Sequence, residues 1–412
     1  MLNTGTTGLL GVAYWLLAAR RYDVADVGRA SAAYSAMNLL SGFTAVNLTG
    51  ALTRFIPQSG RYTAALVLRA YASSAVASVA VAIPFLLTVK HWGSSYTELG
   101  RATAGLVFTA CVATWSIFTL QDGVLTGLRS AVWVPIENGL FGIAKIALLV
   151  ALATALPRAG IYLSWMLPVA ISLPLVNGLI FGRLAPRHAR LTADRAPPTG
   201  RQVRRFLAGD YTGSLCVLAT TGLLPVTVAA RSGPRMTAYF YMAWIIGGTL
   251  DLFAVNMATS LTVEGAFDAA PLAVNCRAAM RRAMLLLAPL AAVLALIASP
   301  ALGLFGTGYA VHGAPILELL AAATLPKAGT ELYLGTLRAQ SRTSLVAIIQ
   351  GSRCLLVLGL AFALTGPLGI VGAGVAVLAG QVLVAAAVAP AIRRTLAGAR
   401  WQAVPRTSQG QL

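Results

Sequence analysis

The stretch AVWVPIENGLFGIAKIALLVALATAL, residues 131–156, decides the fold class. Only Glu137 and Lys145 in it carry charge. About 20 apolar residues in a helix suffice to cross the hydrocarbon core of a bilayer. Comparable apolar runs fall at 2–19, 30–52, 63–89, 102–120, 160–182, 206–230, 238–262, 279–299, 312–336, 343–365 and 368–391. Twelve runs in 412 residues leave little chain for anything else, and the connections between them are short. The expectation is an all-helical, polytopic membrane protein with about twelve spans.

Composition agrees. Apolar residues make up 58% of the chain and charged residues only 10%, against roughly 25% in an ordinary soluble domain. The mean hydropathy is +0.77. A soluble enzyme, a disordered chain and a fibrous repeat are excluded on these values. Cys111, Cys216, Cys276 and Cys354 are scattered with no C-x-x-C pair, so neither a disulfide framework nor a zinc site is expected. No signal peptide precedes the first run, which starts almost at Met1; a lead-in segment before it is expected to be missing.

The net charge of +19 would suggest nucleic acid in a soluble protein. Here the basic residues mark topology instead. The even-numbered loops and the C-terminal tail hold 20 Lys and Arg residues, the odd loops 8, and Lys145, Lys327 and Arg353 lie inside spans. This bias places the even loops and both termini in the cytoplasm of a multi-pass protein. The seven arginines of 183–205 form the longest polar segment and suit attraction to anionic membrane lipids; no nucleic-acid partner is expected.

That segment also divides the chain. Val46-Asn47-Leu48 with Leu52-Thr53 recurs as Val255-Asn256-Met257 with Leu261-Thr262, an offset of 209 residues and of six spans. An even number of spans keeps the orientation, so two parallel six-helix lobes are expected. The divisions are an N-terminal lobe 1–182, a basic cytoplasmic linker 183–205, a C-terminal lobe 206–392 and a cytoplasmic tail 393–412.

Lys145 and Arg353 are buried in the fifth and eleventh runs, at matching places in the two halves. A cation at a helix centre costs about 2.5–3.5 kcal/mol on insertion scales, so each needs a cavity or a partner. Because the pair is symmetric and no equally central acid is apparent, both are read as facing a central cavity and holding an anionic substrate group; the alternative is that each pairs with an acid or snorkels. Arg54, in Leu52-Thr53-Arg54-Phe55-Ile56-Pro57, reads as an anchor or as a contact to substrate headgroups. The acids near spans are few, and Asp251 is the deepest. Asp251, Glu137 and Asp122 are the candidates for binding a coupling ion. The chain has no P-loop, no H-E-x-x-H and no G-x-S-x-G, and its three histidines are unclustered. It is read as a non-enzyme with no cofactor.

Several segments carry a family resemblance. They are Ala18-Ala19-Arg20 through Asp26-Val27-Gly28, the Leu52–Pro57 segment, Leu120-Gln121-Asp122-Gly123 through Arg129, and Val132 through Asn138. Ala238-Tyr239-Phe240-Tyr241, Thr262-Val263-Glu264-Gly265, Leu337-Arg338 and Arg342-Thr343 continue the series. In this order the chain resembles the polysaccharide (O-antigen) flippase branch of the multidrug/oligosaccharidyl-lipid/polysaccharide (MOP) exporter superfamily. The resemblance implies a MATE-like, twelve-helix, two-lobed transporter in the bacterial cytoplasmic membrane. It would move a polyprenyl-diphosphate oligosaccharide to the outer leaflet by ion-driven alternating access, for surface polysaccharide biosynthesis. A polymerase or glycosyltransferases would be its partners. The alternatives are a drug or metabolite exporter of the same fold, in which acids rather than bases would line the cavity, and a non-transporting scaffold for polysaccharide assembly.

Overall fold

The computed structural model describes residues 2–156, 159–195, 197–209, 211–267, 272–340 and 342–396, so most of the expected tail lies outside them. All regular structure among these residues is helical. The first half contains α1 (Leu2–Arg21), α2 (Val24–Phe55), α3 (Thr63–Leu87), α4 (Ala102–Gly127), α5 (Trp133–Ala155) and α6 (Gly160–Leu179). Two short linker helices follow, α7 (Ala185–Leu191) and α8 (Gly200–Gly209). The second half contains α9 (Tyr211–Phe267), α10 (Leu272–Leu296), the short α11 (Ala298–Gly303), α12 (Thr307–Ala339), α13 (Thr343–Leu364) and α14 (Gly369–Leu396).

The apolar runs read from the sequence fall in helices. Among the described residues, nine helical stretches are long and apolar enough to cross a membrane. One of them, Thr212–Asn256, spans parts of two of the runs, because α9 bends at Gly233 (φ 73°, ψ 169°) in front of Pro234. The sequence reads a seven-residue loop there; the structure makes the reversal in one glycine. Large apolar side chains such as Leu87 (79% exposed) and Leu296 (82%) line the outside, as lipid-facing residues do.

α1 packs on α5, α2 on α3 and α4, and α5 on α6; in the second half α12 packs on α9, α10 and α14, and α13 on α14. The seam between the halves runs along α2 and α9. Ala32 and Ala36 are fully buried on α2, and Gly42 and Gly222 sit against Leu218 and Leu39 across the seam. Small residues let helix backbones approach closely, which is how helices associate where lipid removes the hydrophobic drive between them.

The halves are sealed together at the end that carries the odd loops. Arg20 donates to the Leu304 carbonyl, and Ser95 and Thr237 share a hydrogen bond of 3.4 Å. Gly28 meets the Pro234 carbonyl and Gly93 (φ 78°) the Ala230 carbonyl so closely that any Cβ would collide with it. At the opposite end the linker is strapped to the first half. His188 Nε2 hydrogen-bonds the Ile56 carbonyl (3.0 Å) and Arg195 donates to Pro57 O (2.8 Å). The sequence reads 183–205 as a polar connection, whereas the structure contains helices in it. α8 is nucleated by a reciprocal cap in which the Thr199 amide donates to Gln202 and the Gln202 amide to Thr199. Its apolar side lies on α2, where Phe206 meets Phe55 edge-on and Asn47 donates to Leu207 O.

Candidate functional site

A cavity of about 400 Å3 lies between the halves. The first half contributes α1, α2, α4, α5 and α6, and the C-terminal limb of α9 supplies the facing wall through Tyr241, Ile245, Gly248 and Leu252. Gly8 and Gly11 on α1 and Gly142 on α5 keep parts of the wall low, and the rest is dominated by rings. Trp15, Tyr34, Trp115, Trp165 and Tyr241 form a continuous chain of edge-on and tilted contacts with centroids 4.3–6.3 Å apart. That spacing is the favoured range for aromatic pairs.

Lys145 lines this cavity, and its side chain is the buried cation of the wall (5% exposed). Its Nζ lies 3.9 Å from the centroid of the Trp165 ring and 5.1 Å from those of Tyr14 and Phe141. Among the described residues no carboxylate forms an ion pair with it. The three ring faces therefore stabilise the ammonium through their quadrupoles, which supply about 2 kcal/mol when desolvated. Such a cation keeps its capacity for an incoming anion. The helix explains the placement: Asn138, Phe141, Gly142 and Lys145 recur at three- and four-residue spacing and put one face of α5 on the cavity. Asp122 on α4 lines the same cavity and accepts from Asn138 at 3.4 Å.

Arg353 corrects the sequence reading of two matched free cations. Its guanidinium is ion-paired with Glu331, both groups are more than nine-tenths buried, and neither lines the cavity. The sequence placed Glu331 near the end of a span because hydropathy falls away there. In the structure α12 continues to Ala339, so Glu331 stands eight residues inside it, level with Arg353 ten residues into α13. Glu331 and Asp122 are 209 residues apart and Arg353 and Lys145 208, near the 209-residue offset of the sequence repeat. Glu331 and Arg353 are closed on each other, whereas Asp122 and Lys145 both line the cavity.

The other sequence candidates lie apart from Lys145. Asp251 on α9 is ion-paired with Lys327 of α12, and both line a smaller pocket in the second half. Arg54 is exposed at the end of α2, with its guanidinium 5.0 Å from the Phe206 ring centroid of α8; it is not in the cavity. Glu137 is buried on α5 with both carboxylate oxygens unpartnered, and it lines an apolar groove of about 340 Å3 between α5 and α6 rather than the cavity. The aromatic wall was missed by sequence reasoning. Its members are spread from residue 15 to residue 241, and only a tendency to sit on the inward faces of their helices could have marked them.

No protein-family model matches the sequence, and no curated protein matches it. Solved structures do. An inward-facing MATE multidrug-resistance transporter of the MOP superfamily superposes with a TM-score of 0.77 at 15% identity, over 95% of each chain. The lipid II flippase MurJ, in an inward closed conformation, gives 0.73 at 13% identity over 95% of this chain and 87% of its own. The chain shares the fold of these two solved transporters. An outward-facing MATE transporter of the same superfamily scores lower, 0.61 at 15% identity over 97% of this chain and 94% of its own.

Proposed function

We propose that this protein is a MOP-type transporter that carries a lipid-linked, diphosphate-bearing oligosaccharide from the inner to the outer leaflet of the bacterial cytoplasmic membrane by alternating access. Lys145 carries this reading: a buried cation on the cavity wall that is held by ring faces and, among the described residues, by no carboxylate. A diphosphate takes such a group strongly, because charge-assisted contacts are stronger in a dry, low-dielectric cleft. The tryptophan and tyrosine rings offer flat apolar faces for the C–H faces of sugar rings. The solved lipid II flippase shares the fold. The basic even loops orient the open side of the cavity toward the cytoplasm, where such a substrate would be assembled.

Vesicles reconstituted with the protein and a fluorescent polyprenyl-diphosphate oligosaccharide test the proposal. Flipping is expected in the wild type, a loss of at least tenfold in Lys145→Ala, and partial recovery in Lys145→Arg. Wild-type rates in Lys145→Ala would overturn it. Asp122 on the same wall favours a second reading, a MATE-like exporter of cationic compounds. Under that reading Asp122→Asn abolishes drug efflux from cells and Lys145→Ala does not.

A further inference from the structure

The ring beneath Lys145 has no hydrogen bond to hold it. Trp165 is 7% exposed, its ring centroid lies 3.9 Å from Lys145 Nζ, and its Nε1 has no partner among the described residues. A buried indole N–H usually finds an acceptor, which then fixes the ring. Here packing must do so, and the direction of the ring face decides how strongly it attracts the ammonium. Tyr34 is the nearest ring, at 4.3 Å between centroids, followed by Tyr14 at 5.0 Å and Trp115 and Phe141 at 6.0 Å. Trp165 is therefore only as well placed as these neighbours.

Their own anchors differ. Tyr14 is tied through its hydroxyl to Ile161 O and Ser164 Oγ, both at 2.8 Å and both on α6 with Trp165 itself. Phe141 has no polar atom to anchor. Trp115 and Tyr34 share one anchor, Asn38 of α2. Trp115 Nε1 donates to Asn38 Oδ1 at 2.8 Å, and the Tyr34 hydroxyl is within hydrogen-bonding reach of the same side chain. Tyr34 and Asn38 stand one helical turn apart on α2, on one face, and both are half-buried. Asn38 does not line the cavity, so it reaches the wall through these two rings. It is an amide inside the apolar run 30–52, and polar groups in such runs pair across helices. Its oxygen joins α2 to α4 at the level of the rings.

We propose that Asn38 is a positioning residue of the transport site: its amide holds Trp115 and Tyr34, and these two rings set the face that Trp165 presents to the Lys145 ammonium. Tyr34 and Trp115 meet edge-on at 6.0 Å, which makes a corner against which the Trp165 ring is seated. Asn38 touches no substrate; it acts on affinity by keeping the cation and its aromatic support in register before a ligand arrives, which is how a supporting polar contact preorganises a site. Asn38, Trp115, Trp165 and Lys145 all belong to the first half, so a parting of the two halves need not break the clamp. The effect on transport rests on the reading of the cavity as the transport site; the ring geometry does not.

Two measurements test the proposal. Protein labelled with fluorotryptophan and held in detergent gives a fluorine NMR resonance for Trp165, assigned by its loss in Trp165→Phe. Reconstituted vesicles give flipping rates against the concentration of a fluorescent polyprenyl-diphosphate oligosaccharide. Asn38→Leu, which is of similar size and has no polar atom, is expected to shift the Trp165 resonance. It is also expected to raise the half-saturating concentration about fivefold while the maximal rate stays within about twofold, the mark of lost binding rather than lost turnover. Asn38→Asp keeps the acceptor for Trp115 and is expected to restore both readouts toward wild type. Tyr34→Phe loses only the hydroxyl and is expected to move both in the same direction by less, which keeps the test valid if Asn38→Leu does not fold. An unmoved Trp165 resonance in folded Asn38→Leu would overturn the proposal. So would a fallen maximal rate at unchanged half-saturation, which would make Asn38 a merely structural contact. A wild type that flips no such substrate, with the Trp165 resonance still moved by Asn38→Leu, would reject the substrate proposed above and support the anchoring.

Discussion

Lys145 and Arg353 look alike in sequence and differ in what surrounds them. Arg353 has a buried carboxylate, and breaking such a pair leaves the other charge stranded, at about 3–5 kcal/mol. Arg353→Met should therefore lower the unfolding midpoint sharply, and Arg353→Met with Glu331→Met should recover most of it, since well-packed apolar replacements of a buried pair are often neutral. Lys145 leaves no stranded acid behind when removed. Lys145→Met should stay within about 1 kcal/mol of wild-type stability while abolishing flipping, because the ring attraction it forgoes is offset by the ammonium desolvation it avoids. Calorimetry of the purified variants beside vesicle flux separates the two roles. Equal destabilisation at both positions would contradict the distinction. Both cations were legible in the sequence because charge in an apolar run is conspicuous. The depth of Glu331 was not, because hydropathy averages hide an acid near the edge of a window.

At the scale of elements, the seal depends on helix ends that approach within the reach of a missing side chain. Gly28 at the start of α2 and the Pro234 carbonyl at the bend of α9 leave no room for a Cβ. Gly28→Ala should force α2 and α9 apart and loosen the odd-loop end. Thr237 is only 2% exposed, so Thr237→Cys in a cysteine-free background should resist a membrane-impermeant thiol reagent while Gly28 is in place. With Gly28→Ala it should label several-fold faster; unchanged labelling would show that the seal does not need this contact. The helices themselves were readable from hydropathy and length. The bend at Gly233 and the helix α8 were not read in that way. The first compresses a loop into one residue with positive φ, and the second takes its start from a two-residue hydrogen-bond exchange.

Across the whole molecule, alternating access requires the two halves to part at the end where they are joined here. Ser95 and Thr237 face each other across that junction, so Ser95→Cys with Thr237→Cys should form a disulfide under oxidation. Flux in the oxidised double variant should fall to background and return on reduction, measured in the same vesicles. Flux that continues in fully cross-linked protein would mean that transport does not open this end.

The sequence alone determined that the chain spans a membrane many times, where its long apolar helices run, and which residues carry charge into the bilayer. These are local properties: a run of apolar side chains must be helical in lipid because its backbone has no other hydrogen-bond partner. Only the tertiary structure decided which charges are spent. Lys145 keeps its charge for the cavity because its neighbours are rings, Arg353 is neutralised by an acid 22 residues earlier, and Glu137 lines the separate groove between α5 and α6. The meaning of a buried charge lies in what stands within a few ångströms of it, and packing between helices, not order along the chain, supplies those neighbours.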